Sequence, residues 1–460
     1  MKEEIIIELA EIVGEDNITT DHIDRITHSY DATEKKYLPD IVIYASNTIE
    51  ISKVVKLANR RRIPLIPRGA GSGFSGGSLP VQGGIVLVLT KMDRIIEIDT
   101  DNLVAHVEPG VVTAELQRQV EKVGLFYPPD PASKEFSTLG GNVAECAGGP
   151  RCVKYGVTKD YILGLEVVTP TGDIIKTGGE TLKNVVGYDL TKLFVGSEGT
   201  LGIITRIILK LLPKPEAKKT MLIQFDSIDG AARSVSAIIR EKIIPTTLEF
   251  MDKATINCIR EKSDIVIPEN CSALLIVEVD GDRDLLEKQA AKILSLIEHF
   301  GVIDTMIAET DEASERIWQV RRIVSPSLRA INPDKFNEDI VVPRSKVPDM
   351  IRALESISEK YAVPIINFGH AGDGNIHVNI MVDMQQDDME KTVERVMDEV
   401  FDTAIRMHGS ISGEHGIGIS KAKYMKMELD EATRACMKTI KNALDPGNIL
   451  NPGKMFLDNQ

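Results

Sequence analysis

The chain has 460 residues, of which 43% are hydrophobic and 27% charged, and its formal net charge is −15. This acidic balance argues against a nucleic-acid-binding protein and against docking on anionic lipid, because both need a basic surface. The length suggests two or three domains. The N-terminus, MKEEIIIELAEIVGED, lacks the basic start of a secretory signal, and no segment is apolar enough to span a bilayer. We therefore expect a cytoplasmic protein.

The pattern of strands and helices changes once along the chain. Before the proline-containing segment LLPKPEAKK (residues 211–219), the runs DIVIYA, IPLIP and GGIVLVLTKM predict strands, and TIEISKVVKLANRRR predicts a helix between the first two. The run ILGLEVVTPTGDIIKTGG predicts a hairpin that turns at residues 170–173. After that segment, strands alternate with long amphipathic helices, which is typical of an α+β domain with a mixed or antiparallel sheet.

A glycine-rich stretch, PRGAGSGFSGGSLP, contains a formal G-x-G-x-x-G at Gly71, Gly73 and Gly76. A nicotinamide-binding Rossmann domain needs a helix directly after this motif, but here Pro80 and further glycines lead straight into a strand. The stretch is thus an extended loop, either a plain connection or a backbone cradle for phosphates. Two further glycine-rich stretches, STLGGNVAECAGG and VGSEGTLGIIT, favour the cradle and indicate a large polyphosphate ligand.

A second cluster lies in the C-terminal half. FGHAGDGNIHVNI places His370 and His377 on either side of a turn, and SGEHGIG joins Glu414 to His415. Two histidines and a carboxylate with open positions are typical of a catalytic divalent-metal site, although hydrogen-bonded histidines on glycine-rich turns are the structural alternative. WQVRRIVSPSL offers arginines that suit a carboxylate substrate.

These segments, together with KYG and LDPGNILNPGK, resemble the vanillyl-alcohol-oxidase-type flavoproteins. The match is nearer to the FAD-dependent 2-hydroxy-acid dehydrogenases, the group of the glycolate oxidase flavoprotein subunit, D-lactate dehydrogenase and D-2-hydroxyglutarate dehydrogenase, and it runs in order over nearly the whole chain. The resemblance implies an α+β protein in three parts. Residues 1–213 would form a vanillyl-alcohol-oxidase-type (PCMH-type) FAD-binding domain with an N-terminal helix and two α+β subdomains. Residues 214–420 would form a substrate- and metal-binding cap with a mostly antiparallel sheet, and residues 421–460 would return to the FAD domain.

The resemblance also implies which residues bind FAD. Residues 68–77 would wrap the pyrophosphate, and residues 137–142, 144 and 148–149 would line the flavin and its ribityl chain. Residues 198–199 and 204 would lie along the adenine end, and Asn451 of the C-terminal segment would return to the flavin. The first loop lacks the histidine that several other relatives bond to the flavin, so we expect noncovalent FAD. The residues expected to bind the cofactor are Arg68, Gly69, Ala70, Gly71, Ser72, Gly73, Ser75, Gly76, Gly77, Ser137, Thr138, Gly140, Gly141, Asn142, Ala144, Gly148, Gly149, Tyr155, Gly156, Glu198, Gly199, Ile204 and Asn451.

For the second cluster, the resemblance assigns individual roles. His370, His377 and Glu414 would bind the metal, expected to be zinc with iron or manganese as alternatives. His415 would be the general base. The residues expected to bind substrate are Arg321, Ser325, Asn379 and, as a weaker match, Lys335.

The expected reaction is the oxidation of a D-2-hydroxy acid to the 2-oxo acid, with D-lactate the first candidate and glycolate or D-2-hydroxyglutarate next. The metal would lower the pKa of the hydroxyl group, His415 would remove its proton, and hydride would pass to flavin N5. Five cysteines without a C-x-x-C predict no iron–sulfur cluster in this chain, and no Rossmann motif for NAD is present, so the electron acceptor would be oxygen, a quinone or another protein. The acidic surface and the resemblance favour a protein partner, and we expect an electron-transfer flavoprotein or an iron–sulfur subunit. The alternatives are a flavoprotein subunit of a multi-subunit glycolate oxidase, a non-haem iron oxygenase, and alkylglycerone-phosphate or aryl-alcohol chemistry on the same fold.

Overall fold

The computed structural model describes residues 2–328 and 331–457, and the chain divides into two compact units. The first unit contains residues up to Gly148, residues 157–214 and residues 414–460. The second contains residues 149–156 and 215–413. The segment that returns to the first unit thus starts at Glu414, and a short piece of the second glycine-rich region belongs with the second unit. The boundaries expected at residues 213/214 and 420/421 stay predictions.

Strands occur along most of the chain. They are β1 (Ile18–Thr19), β2 (Ile41–Tyr44), β3 (Leu65–Arg68), β4 (Ile85–Val88), β5 (Ile95–Asp99), β6 (Val104–Val107), β7 (Leu125–Phe126), β8 (Ile162–Val168), β9 (Ile174–Gly178), β10 (Ile203–Lys210), β11 (Leu212–Pro213), β12 (Ala217–Phe225), β13 (Thr247–Asp252), β14 (Ala273–Gly281), β15 (Val302–Ile307), β16 (Asp334–Val341), β17 (Ile365–His370) and β18 (Asn375–Val382).

The helices are four to eighteen residues long. They are α1 (Glu3–Val13), α2 (His22–Thr27), α3 (Thr48–Arg61), α4 (Thr113–Lys122), α5 (Leu139–Glu145), α6 (Cys152–Tyr155), α7 (Leu190–Phe194), α8 (Ile228–Arg240), α9 (Lys253–Ile259), α10 (Arg283–Ile297), α11 (Asp311–Arg322), α12 (Val324–Leu328), α13 (Val347–Tyr361), α14 (Met389–Arg406), α15 (Met425–Glu428) and α16 (Glu431–Leu444). Within the described residues, none of them combines the length and apolarity needed to cross a membrane.

The first unit contains two main sheets. In the order β1-β2-β4-β3, the last three strands are parallel, and α3 makes the crossover after β2. The side chain of Asn47 caps α3 by accepting a hydrogen bond from the Glu50 N–H, and the helix buries Ile51, Val54 and Val55 against the sheet. The second sheet, β5-β6-β10-β8-β9, is antiparallel and contains the hairpin expected around residues 170–173.

The second unit is built on one seven-stranded sheet in the order β15-β12-β14-β13-β17-β18-β16. Every neighbouring pair in it is antiparallel, which agrees with the expected cap domain. Helices α9, α11 and α12 share one apolar core with a face of this sheet, which includes Met251 and Phe368. Residues opposite each other on adjacent strands lie on the same face, so the register decides which polar groups meet there.

Candidate active site

A large cavity lies in the first unit where the glycine-rich loops converge. Together with the open solvent at its mouth it contains about 1300 Å³ of empty space, and it is lined by residues of all three loops. A cavity whose wall takes in three separate glycine-rich loops suits an extended cofactor. The loop after β3 reaches β4 without an intervening α-helix, which confirms that it is no Rossmann phosphate turn.

Most of the residues expected to bind the cofactor line this cavity. They are Arg68, Gly69, Ala70, Gly71, Ser72, Gly73, Gly77, Ser137, Thr138, Gly140, Gly141, Asn142, Ala144, Gly148, Glu198, Gly199 and Ile204. Ser75, Gly76 and Asn451 belong to the first unit but are not among the residues that line the cavity. Asn451 donates hydrogen bonds from Nδ2 to the carbonyl oxygens of Gly77 and Glu198, so it ties the first loop to the third.

Three other residues expected near the cofactor, Gly149, Tyr155 and Gly156, belong to the second unit. There the Tyr155 hydroxyl donates a hydrogen bond to Asp280 at 2.9 Å, and the amine of Lys154 pairs with the same carboxylate. The residues around KYG are thus tied to the end of β14. Their expected role toward FAD stays a prediction.

The cavity walls depend on the absence of side chains. An ideal Cβ on Gly71 would lie 2.2 Å from Nη2 of Arg68, and one on Gly140 would lie 2.5 Å from Cβ of Pro109. Both glycines line the cavity, so its shape requires a bare backbone there. Such walls present N–H groups at close range, which suits the phosphates of a dinucleotide.

Replacing Gly71 by alanine should therefore weaken FAD binding. The residue has φ +69°, and the new Cβ would displace the Arg68 guanidinium group. The matched control is Gly124→Ala, because Gly124 has φ +76° with no atom near its missing Cβ and lies outside the cavity lining. Both variants should lose about 1 kcal/mol of stability from backbone strain, but only Gly71→Ala should release FAD on gel filtration. Equal FAD retention in the two variants would contradict this assignment.

In the second unit, His370 and His377 meet across a β-hairpin. His370 ends β17, the turn follows, and His377 lies on β18. Their Nε2 atoms are 3.4 Å apart, and both side chains are buried. Bonds of 2.0–2.1 Å from one zinc ion to two tetrahedral ligands place those ligands about 3.4 Å apart, so the donor pair fits a zinc ion.

A carboxylate that the sequence did not reveal orients this pair. Glu249 on β13 is opposite His370 in the sheet register, is fully buried, and bonds to Nδ1 of His370 through Oε1. This bond leaves Nε2 of His370 turned toward His377, the arrangement that metal-binding histidines commonly have. Burial alone would raise the pKa of the Glu249 carboxyl, but the charges of His370 and Arg321 hold it below its usual value.

Arg321 is fixed beside this group. Its Nε donates to Oε2 of Glu249 at 2.8 Å, and its guanidinium carbon lies 4.3 Å from the centre of the Phe368 ring. Among the described residues, neither of its two terminal nitrogens has a hydrogen-bond partner. The Arg321 side chain can therefore still grip a carboxylate through its Nη atoms.

The other residues expected at the substrate lie on the same sheet face or above it. Lys335 on β16 donates to Oγ of Ser325 on α12 at 3.1 Å. Asn379 is fully buried on β18, and its Nδ2 donates to the carbonyl oxygens of Ile366 and His377. Oδ1 of Asn379 has no hydrogen-bond partner among the described residues, so it can accept one from a ligand.

Glu414 and His415 belong to the first unit and line the FAD cavity. The imidazole of His415 stacks on the Phe74 ring, with 4.9 Å between the ring centres. On the N-terminal side, within the second unit, Asp339 accepts hydrogen bonds from the Ser412 hydroxyl and from the Gly413 N–H. On the other side, within the first unit, Glu198 accepts from the N–H groups of Ile417 and Gly418 at 2.7 and 2.6 Å. Buried carboxylates therefore hold the backbone on both sides of these two residues.

Two comparisons of sequence agree with this geometry. The family model for the C-terminal domain of FAD linked oxidases matches residues 214–455, and that for an FAD binding domain matches residues 39–178. The glycolate oxidase subunit GlcD of Bacillus subtilis is 46% identical, over 98% of this chain and 96% of its own length. The D-lactate dehydrogenase of Anaerostipes hadrus is 36% identical, over 98% of this chain and 97% of its own length.

Solved structures agree on the fold. A p-cresol methylhydroxylase with substrate bound superimposes with a TM-score of 0.81 at 18% identity, over 99% of this chain and 96% of the other. A 4-ethylphenol oxidase from Gulosibacter chungangensis gives 0.78 at 19% identity, over 99% and 97%. These likenesses confirm the expected vanillyl-alcohol-oxidase-type fold. The chain therefore belongs to the FAD-linked oxidase family and is an FAD-dependent oxidoreductase.

Proposed function

We propose that this enzyme oxidises a D-2-hydroxy acid to the corresponding 2-oxo acid, with D-lactate the first candidate and glycolate or D-2-hydroxyglutarate next. The observation that carries the proposal is the buried pair of His370 and His377, whose facing Nε2 atoms are 3.4 Å apart beside the guanidinium group of Arg321. A metal-binding pair next to a cation matches a substrate that carries a hydroxyl group and a carboxylate on adjacent carbons. Relatives named glycolate oxidase subunit and D-lactate dehydrogenase support the same class.

We assign the metal to His370, His377 and Glu414, with zinc expected and iron or manganese as alternatives. When bound, a divalent ion at these residues supplies a Lewis acid that polarises oxygen ligands. The glutamate would complete two imidazoles with one carboxylate, the ligand set of many catalytic zinc sites.

His415 is the base in this proposal. A neutral imidazole can take the hydroxyl proton of the substrate near neutral pH, because its ordinary pKa lies in that range. Stacking against Phe74 limits the orientations of the ring at the cavity wall. The flavin, bound noncovalently since the first loop has no histidine, supplies the hydride acceptor at N5.

Four residues would hold the substrate. Arg321 would bind its carboxylate through the two Nη atoms, and the further donors would be Ser325, four residues later in the chain, and Lys335 on β16, which donates to Oγ of Ser325. Oδ1 of Asn379, buried without a partner among the described residues, would accept a hydrogen bond from the bound acid. A substrate that is held at both its carboxylate and its hydroxyl group is oriented before the reaction. Such orientation lowers the activation free energy of the chemical step.

The two electrons are expected to leave through another protein, either an electron-transfer flavoprotein or an iron–sulfur subunit. The five cysteines include no C-x-x-C, so this chain offers no cluster motif of its own. A second candidate function follows from the 46% identical relative, which is named as a subunit of glycolate oxidase. In that case the chain would act as the flavoprotein subunit of a larger complex. The non-haem iron oxygenase loses its support, since membership of an FAD family accounts for the glycine-rich loops.

The proposal is tested with a panel of D- and L-2-hydroxy acids under anaerobic conditions. The FAD-loaded enzyme should lose its flavin absorbance with the D-acids, and removal of the metal by a chelator should abolish the bleaching while FAD stays bound. Re-addition of Zn²⁺ or Mn²⁺ should restore it. Bleaching by glycolate alone would make glycolate the substrate in place of D-lactate, and full bleaching of the chelated enzyme would refute the metal assignment.

A further inference from the structure

Two carboxyl groups lie side by side at the wall of the FAD cavity, and the proposed reaction uses neither. Glu145 is the last residue of α5, and Glu198 lies in the third glycine-rich loop before β10. Both residues line the cavity. An ideal Cβ on Gly416 would lie 2.1 Å from Oε2 of Glu145 and 2.9 Å from Oε1 of Glu198, so the two carboxyl oxygens border the same small volume.

The hydrogen bonds of the two groups differ. Both oxygens of Glu198 accept backbone N–H groups, those of Ile417 and Gly418, as an ionised carboxylate does. Oε1 of Glu145 accepts from the Ser75 hydroxyl at 3.1 Å. Oε2 of Glu145 is buried and has no hydrogen-bond partner among the described residues. A neutral carboxylic acid at this position would have one donor to offer, and the neighbouring carboxylate would have an acceptor.

The environment of the two carboxyl groups favours a state in which only one of them is ionised. Burial raises the pKa of the Glu145 carboxyl well above its usual value, and the nearby charge of Glu198 raises it further. Burial also raises the pKa of Glu198, against the two N–H donors and the amines of Lys454 and Lys421. Asp31 adds a further carboxyl on this side, and Glu414 and His415 line the same cavity. Burial lowers the pKa of Lys454 to about 8, so its charge is itself costly there.

We propose that Glu145 carries a proton at neutral pH and donates it in a hydrogen bond to the ionised carboxylate of Glu198. One proton would then hold the two side chains together beneath the turn at Gly416–Gly418. Glu145 is a positioning residue in this account, since it acts on the turn that follows His415. The shared proton would also remove a second negative charge from the wall of the cavity that is expected to hold FAD. The inference goes beyond the proposed function because it depends on no particular substrate or metal.

The direction in which stability changes with pH follows from the protons that are taken up on folding. A carboxyl whose pKa is higher in the folded protein takes up a proton on folding, so stability falls as pH rises from the unfolded value of 4.5 toward the folded value. Glutamine at position 145 reproduces the neutral acid without that proton uptake. Glu145→Gln should thus match the wild type below pH 4.5 and exceed it in melting temperature by a margin that grows as the pH rises above that value.

Glutamine at position 198 should have the opposite effect. In the wild type, the N–H groups of Ile417 and Gly418 each donate to a different oxygen of Glu198. The glutamine amide has only one oxygen, so its NH₂ group would face one of these two N–H donors. We expect Glu198→Gln to lower the melting temperature at every pH and to weaken FAD retention about tenfold or more, measured by the fluorescence of released FAD. Glu97→Gln, on an exposed strand position, is the control and should change nothing.

An infrared spectrum distinguishes the protonated acid directly. The FAD-loaded wild type should show a carboxylic-acid C=O band that shifts in D₂O, disappears in Glu145→Gln and remains in Glu97→Gln. The proposal fails if Glu145→Gln lowers stability as much as Glu198→Gln does, or if that variant keeps the band. If Glu145→Gln does not fold, the infrared spectrum of the wild type tests the proposal. The carboxylic-acid band must then be present at neutral pH and must disappear as the solution becomes alkaline.

Discussion

Replacing His415 by asparagine should lower the rate of anaerobic flavin reduction about 10³-fold while FAD and metal stay bound. The imidazole lines the cavity and stacks on Phe74, so it is positioned as the base but contributes no ligand in the proposed metal site. The backbone on both sides of it is anchored independently, at Gly413 by Asp339 and at Ile417 by Glu198. The loss should therefore fall on the chemical step and leave the fold intact. Stopped-flow absorbance at saturating substrate measures that step alone.

A control variant makes this expectation specific. His299→Asn serves as the control, since the His299 side chain is 84% exposed and is not among the residues that line the cavity. A variant that keeps the wild-type rate would exclude His415 as the base. Loss of FAD from His415→Asn would instead assign the residue to cofactor binding.

Local sequence patterns were sufficient to predict the glycine-rich cavity. The three loops are short in sequence, and the strand that follows the first loop already excluded a Rossmann turn. One element was missed, because α5 lies within the loop expected at residues 137–149. Two glycines give that segment a poor helix propensity, but Thr138 caps it and Gly140 packs against Pro109. Tertiary packing decided the conformation there.

The residues that orient the site could not be predicted from local patterns. Glu249 lies 121 positions before His370, and only the register of β13 against β17 brings them together. A weak signal existed, since Glu249 interrupts the apolar run of TTLEFMD and a charged residue in a buried strand usually has a partner. Asp339 carries a similar signal in NEDIVV. Neither signal indicates which residue pairs with Glu249 or Asp339. The strand order and register of a seven-stranded antiparallel sheet depend on contacts between residues that are distant in sequence.

Glu249 bonds to two residues that have different proposed roles. It bonds to His370 through one oxygen and to Arg321 through the other, so it connects the proposed metal ligand to the proposed substrate clamp. With Nε engaged, the guanidinium plane of Arg321 is fixed, and its two Nη atoms remain for a ligand. A substitution at Glu249 should thus disturb metal binding and substrate binding together, whereas a substitution at either neighbour should disturb one of them first.

Replacing Glu249 by glutamine should weaken metal binding about 10- to 100-fold, the usual cost of removing a carboxylate that orients a metal-binding histidine. An amide has one acceptor where His370 and Arg321 need two, and it removes the buried negative charge that faces both. Glu249→Ala should be worse, because the Arg321 side chain, 15% exposed, would then lose its partner. Competition with a chromophoric chelator measures the affinity, and the KM for the hydroxy acid should rise in parallel.

The matched control for this substitution is Glu278→Gln. Glu278 is another buried glutamate of the same sheet, on β14. Its side chain accepts hydrogen bonds from two neutral donors, the Thr220 hydroxyl and the Trp318 indole, and the Lys218 amine approaches to 3.8 Å. Glutamine can accept from those two donors, so this variant should keep metal affinity and KM within about twofold of the wild type. If Glu249→Gln and Glu278→Gln bound metal equally well, the carboxylate of Glu249 would have no part in orienting His370. The fit of the histidine pair to a metal ion would then have to arise from the hairpin alone.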